Sequence, residues 1–167
     1  MSETDASAHN PVISEVAKQP VESAVAVAGH PLHAMSVHFP IAFVIATLGC
    51  DVIYWWSADP FWLRAGLWAA GFAFVSGVGA GLVGTAELLL VRGIRMRAAS
   101  WTHAVAAMML ISIAGTNWGL RLTDEAAVLP QGLMLSVLAS IFTGLAGWHG
   151  GKLVFDHGIG LIISEKD

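Results

Sequence analysis

Three of the seven histidines fall within nine positions, in the stretch GHPLHAMSVHFPIAF from Gly29 to Phe43, which runs straight into an apolar segment. Imidazole is poorly suited to a lipid-facing surface, yet it is a good ligand for haem iron, zinc, copper and non-haem iron. His30, His33 and His38 are therefore the first candidates for chemistry. Three more follow: His103 in WTHAVAAMM, and His149 and His157 in GWHGGKLVFDHGIGL. Glu87 is the carboxylate inside the second apolar run, and Asp51 lies inside the first. The single cysteine, Cys50, excludes an intrachain disulfide framework and a cysteine-based zinc cluster. No nucleophile–base pair, phosphate-binding glycine loop or pair of catalytic carboxylates is present, so an enzymatic activity is left open.

The elements that must position these residues are membrane helices. The chain is 56% hydrophobic and 12% charged, against about 25% charged in an ordinary soluble domain. Its mean hydropathy is +0.68. No basic patch with interleaved aromatics exists, which argues against nucleic acid as a partner. A bilayer core of about 30 Å takes roughly 20 apolar helical residues. Four runs qualify, at about 36–56, 63–91, 101–120 and 128–150, with ADPF, an arginine-rich connector and RLTDE between them. The expected fold is an all-α, integral membrane four-helix bundle. Residues 1–29 read as a disordered tail without the charged leader and apolar core of a secretory signal. Residues 30–161 form the membrane domain and 162–167 a short C-terminal tail.

Four spans put both termini on one side. Lys18, Arg92, Arg95, Arg97, Lys152 and Lys166 share that side, whereas Arg64 and Arg121 lie on the other. By the positive-inside rule the termini are cytoplasmic. The topology then gathers His30, His33, His38, Glu87, His103, His149 and His157 into one leaflet. Ionisable groups at that depth usually face a bundle interior and mark function. Each also has a plainer role. His30, His33 and His149 suit the headgroup level, His38 a structural hydrogen bond near Pro40, His103 helix entry, and Glu87 an ion pair with Arg92 or Arg95. Asp51 lies 13 residues beyond His38, roughly 20 Å along a helix, and an Asp51–Asn117 hydrogen bond is expected there as structural glue. Gly77-x-x-x-Gly81, Ala80-x-x-x-Gly84 and Thr143-x-x-x-Gly147-x-x-x-Gly151 mark helix contacts, or flat faces that leave room for a planar cofactor. Trp55, Trp56, Trp62, Trp101 and Trp148 fall at span ends, as interfacial anchors do.

HPLHAMSVHFPIAF, GWHGGKLVFDHGIGL, Asp51 and WTHAVAAMM together resemble a family of bacterial four-span membrane proteins, domain of unknown function 2231. The resemblance runs from His30 to about Leu161. His30, His33, His38, Pro40, Asp51, His103, His157 and Gly158 fall on motif positions. Ala34 stands where the family usually has proline, and His149 where it has an apolar residue. The resemblance implies an integral protein of the bacterial inner membrane. Some relatives are joined to iron–sulfur or cytochrome-type domains, which implies redox work.

Three functions follow. In the first, a b-type haem is held by imidazoles from facing helices. His38 and His103 are the preferred axial pair, His33 and His157 the alternates, and Arg95 or Arg97 pairs with propionates. The glycine-lined second and fourth spans flank the macrocycle, and electrons pass to quinone or a membrane-associated redox protein. In the second, His33, His38, Glu87, His103 and His149 bind zinc, copper or non-haem iron. In the third, the protein is a structural or accessory subunit among lipids, with no cofactor. Oligomerisation is compatible with all three.

Overall fold

The computed structural model describes residues 11–160, with side-chain environments from Ser14 onward. Helix α1 (Pro11–Ala17) leads into a segment ending in a two-residue antiparallel pair, β1 (Ala26–Val27) and β2 (His30–Pro31). Then come α2 (Leu32–Ser36), α3 (His38–Ser57), α4 (Pro60–Leu90), the short α5 (Arg92–Arg95) and α6 (Ala98–Thr123). A 3-10 turn (Glu125–Val128) precedes α7 (Gln131–Phe155).

Local chemistry sets the breaks. Pro40 sits in the first turn of α3 with no N–H for the carbonyl of Ser36, and its ring crowds that carbonyl. The hydrogen-bond ladder is therefore interrupted between α2 and α3, while Val37 itself keeps right-handed helical angles (φ -63°, ψ -21°). After Ser57, Ala58 takes a left-handed conformation (φ 51°). Asp59 then caps α4, its carboxylate accepting from the Phe61 amide at 2.9 Å, with Pro60 in the first turn. Asp124 caps the 3-10 turn in the same way, accepting from Ala126 at 2.9 Å.

Leu32–Ser57, Pro60–Leu90, Ala98–Thr123 and Gln131–Phe155 are each long and apolar enough to cross a membrane. They form a closed square. Each long helix packs on its sequence neighbours, and α7 closes on α3. The interior is built from small residues, among them Ala69, Ala70, Ala73, Ala80, Ala114, Ala139 and Ala146. The large side chains point outward, with Phe39, Leu82, Met108, Ile141 and others exposed. A water-soluble bundle does the reverse; lipid offers no hydrophobic drive between helices, so close backbone approach replaces it. Trp55, Trp56, Trp101 and Trp148 are exposed near span ends.

Two expectations change. The fourth span does not stop near Gly150; α7 continues through Gly150 and Gly151 to Phe155. Leu153 and Ile159 then bury in a cluster with Leu88, Val91 and Ile94, which offsets the roughly 1 kcal/mol cost of each helical glycine. Within the segment that the sequence reads as a tail, Val21 packs on that cluster. Residues 1–10 and 161–167 lie outside the described residues. Finally, the Thr143/Gly147/Gly151 motif does not mark one helix contact. Thr143 is buried, but an added Cβ at Gly147 meets nothing within 4 Å.

Candidate functional site

Two polar constellations occupy the interior, one toward each end of the bundle. Away from the termini, Asp51 of α3, Asn117 and Arg121 of α6 and Ser136 of α7 are each only 1–2% exposed. Arg121 forks onto Asp51, Nη1 to Oδ1 at 2.8 Å and Nη2 to Oδ2 at 2.6 Å. Its Nε donates to the Asn117 amide oxygen at 2.9 Å. Ser136 donates to Asp51 Oδ2 at 2.6 Å and accepts from Asn117 Nδ2 at 2.9 Å and from Arg121 Nη2 at 3.3 Å. The fourth helix contributes a space. An added Cβ at Gly66 of α4 would lie 3.0 Å from Arg121 Nη1, and one at Gly132 would lie 3.2 Å from Nη2.

The direct Asp51–Asn117 bond expected from sequence is replaced by this network, in which Arg121 and Ser136 stand between the two. Arg121 itself is not a headgroup charge: it is buried. It lies four residues after Asn117, hence on the same helical face, and α6 runs to Thr123 rather than stopping at Leu120. That spacing was the available signal. Beside the network, a void of about 10 Å³ lined by Thr47, Asn117, Ser136 and alanines leaves room for a single water at most. The constellation satisfies itself and ties α3, α6 and α7 together, with α4 making room at Gly66.

Toward the termini, His33 of α2 and His103 of α6 meet edge to face, ring centres 6.2 Å apart and planes at 76°. Each is half-buried, and each is pinned by a neighbouring helix. His33 Nδ1 bonds the Ala80 carbonyl of α4 at 3.0 Å, and His103 Nδ1 bonds the Ala146 carbonyl of α7 at 3.0 Å. A carbonyl only accepts, so Nδ1 carries a proton in both rings, and in a neutral ring Nε2 then keeps its lone pair. Glycines make the room. An added Cβ at Gly84 would lie 2.6 Å from His33 Cε1, and one at Gly150 would lie 3.1 Å from His103 Cε1. These glycines seat the imidazoles, while Gly77 and Gly81 receive Ile111. The face of α4 read from sequence as room for a planar group is thus occupied by side chains.

The other candidates are spread around this pair. His38, five residues after His33, is exposed and bonds the Met35 carbonyl of its own preceding turn at 3.1 Å. Five residues turn a helix by roughly 140° from the starting face, so the two cannot share it; the ring that meets His103 is His33, not His38. His30 is exposed and bonds Ala28 at 2.8 Å. His149 is half-buried and an electrostatic neighbour of His103, and His157 is exposed. Glu87 is buried and accepts from the Ser23 hydroxyl rather than from Arg92 or Arg95. Arg95 donates to the Leu89 carbonyl at 2.6 Å, and Arg97 to the carbonyls of Gly93 and Val16. Among the described residues, no group of three or more His, Cys, Asp or Glu side chains is arranged to hold a metal ion.

A closed square of four apolar helices with charge buried only in its interior defines an integral membrane bundle. The chain belongs to the family described as predicted membrane protein DUF2231, whose family model matches residues 29–162. No curated protein and no solved structure matches it.

Proposed function

We propose that the protein binds one b-type haem between His33 and His103 and serves electron transfer in the bacterial inner membrane, with its termini in the cytoplasm. The observation that carries the reading is the imidazole pair. Two rings from different helices each hold Nδ1–H on a backbone carbonyl, the outer bond that orients a histidine ligand and leaves Nε2 as the nitrogen that would bind. The 6.2 Å between ring centres brings the two imidazoles to one spot, and holding one metal between them would require the edge-to-face pair to turn until both Nε2 atoms face it.

Bound there, haem would supply reversible one-electron chemistry at a potential set largely by the two imidazoles that would hold it. The chain's own part is to hold the rings. Gly84 and Gly150 admit them, and Ala80 and Ala146 fix their tautomer. The Asp51–Arg121 network fixes α3, α6 and α7 against one another at the other end of the bundle. Lipid surrounds the apolar exterior, and quinone or a membrane-associated redox protein is the electron partner in this reading. Burial of Arg121 leaves Arg64 as the basic residue of the two distal connectors, which strengthens the charge asymmetry behind the cytoplasmic orientation.

The test is the absorption spectrum and iron content of protein purified in mild detergent from cells supplied with a haem precursor. A Soret band with an α-band that sharpens on dithionite reduction is expected, at one haem per chain. A colourless protein without iron overturns the reading. Zinc or copper in that same sample would favour the metal-binding alternative.

A further inference from the structure

Glu87 is 7% exposed, three residues from the end of α4, and its carboxylate accepts from Ser23 of the segment ahead of the first span. Four contacts besides the Ser23–Glu87 hydrogen bond hold that segment down. Val21 packs on the cluster of Leu88, Val91, Ile94, Leu153 and Ile159. Its carbonyl accepts from the Gly160 amide at 2.9 Å. The Pro20 carbonyl lies against Gly93 so closely that an added Cβ would overlap it. The Val16 carbonyl accepts from Arg97 at 3.4 Å.

We propose that residues 16–23 are a strap over the termini-side mouth of the bundle, latched by Ser23 on Glu87, and that water and protons reach Glu87 and the imidazoles behind it when the strap lifts. Spacing places Glu87 on the route. Ala80, Gly84 and Glu87 share one face of α4, and the first two touch His33. Glu87 therefore stands on that face between strap and imidazole. One apolar anchor and a few hydrogen bonds at the surface put the strap among elements that open well before the bundle unfolds. The inference stands whether or not iron lies between the imidazoles, because its readout is the accessibility of a carboxylate.

The experiment is labelling of the full-length protein in detergent with a water-soluble carbodiimide and an amine nucleophile, read residue by residue by peptide mass spectrometry. In wild type, Glu87 should label at least tenfold more slowly than exposed Glu22. Gly93→Ala, which pushes Pro20 away, and Ser23→Ala, which removes the latch, should each raise Glu87 labelling at least tenfold with Glu22 unchanged. If Gly93→Ala does not fold, Val21→Ser carries the same readout by weakening the anchor without adding bulk. Glu87 labelling as fast as Glu22 in wild type, or unchanged in the variants that fold, would overturn the strap.

Discussion

Arg121→Met leaves the Asp51 carboxylate, 1% exposed, with Ser136 as its one remaining hydrogen-bond donor in the network. Arg121 supplies two of the three bonds that Asp51 accepts, at 2.8 and 2.6 Å, and the ion pair itself. Removing one partner of a buried pair costs about 3–5 kcal/mol, mostly because the other charge is stranded. Asp51→Leu should cost a similar amount, since the guanidinium is then the stranded group. The double variant strands neither, and buried pairs replaced by apolar residues are often no less stable than the original. A coupling of at least about 2 kcal/mol between the two sites is therefore expected. The assay is reversible unfolding in mixed detergent–SDS micelles, followed by tryptophan fluorescence, for wild type, both single variants and the double. A double variant that loses the sum of the two single losses would refute the claim that the pair acts as one unit. So would an Arg121→Met loss below about 1 kcal/mol.

Other consequences are read in the same detergent system. Ser136→Ala removes a donor to Asp51 and an acceptor for Asn117, and should cost about 1–3 kcal/mol; a neutral result would mean that water replaces the hydroxyl. Gly84→Ala forces His33 out of its notch, and about 1–3 kcal/mol of overpacking loss is expected in the same unfolding assay. Gly147→Ala, where an added Cβ meets nothing within 4 Å, should be neutral or stabilising by up to about 1 kcal/mol. A reporter fused after Asp167 should be active only when its activity is cytoplasmic, and a cysteine placed at Asp124 should be labelled from the periplasmic side.

What the sequence disclosed follows from how each feature is encoded. The four spans were legible because about 20 apolar residues in a row have one physical use. The tie among the first, third and fourth spans was half legible. Asp51 and Asn117 stand out inside apolar runs, but Arg121 lies at the edge of one, where a headgroup charge is the ordinary reading. Its burial depends on Gly66 and Gly132, whose role as spaces becomes visible only across helices. The grouping of polar residues toward one end was legible from span counting. Which histidine meets His103 was not, because the interrupted ladder between α2 and α3 and the 140° offset between His33 and His38 depend on how Pro40 enters α3. The strap was illegible for a different reason. Its composition is that of a loose tail, and its anchors are a valine, a serine and backbone carbonyls, none of which signals a contact 60 residues away.

The central claim is that His33 and His103 hold one haem as a bis-imidazole pair. It is tested most directly by low-temperature electron paramagnetic resonance and optical spectra of oxidised wild type, His33→Ala, His103→Ala and His38→Ala. Wild type and His38→Ala should share one low-spin signal, and either His33→Ala or His103→Ala should abolish it. Loss of the signal in His38→Ala with His33→Ala unaffected would contradict the account.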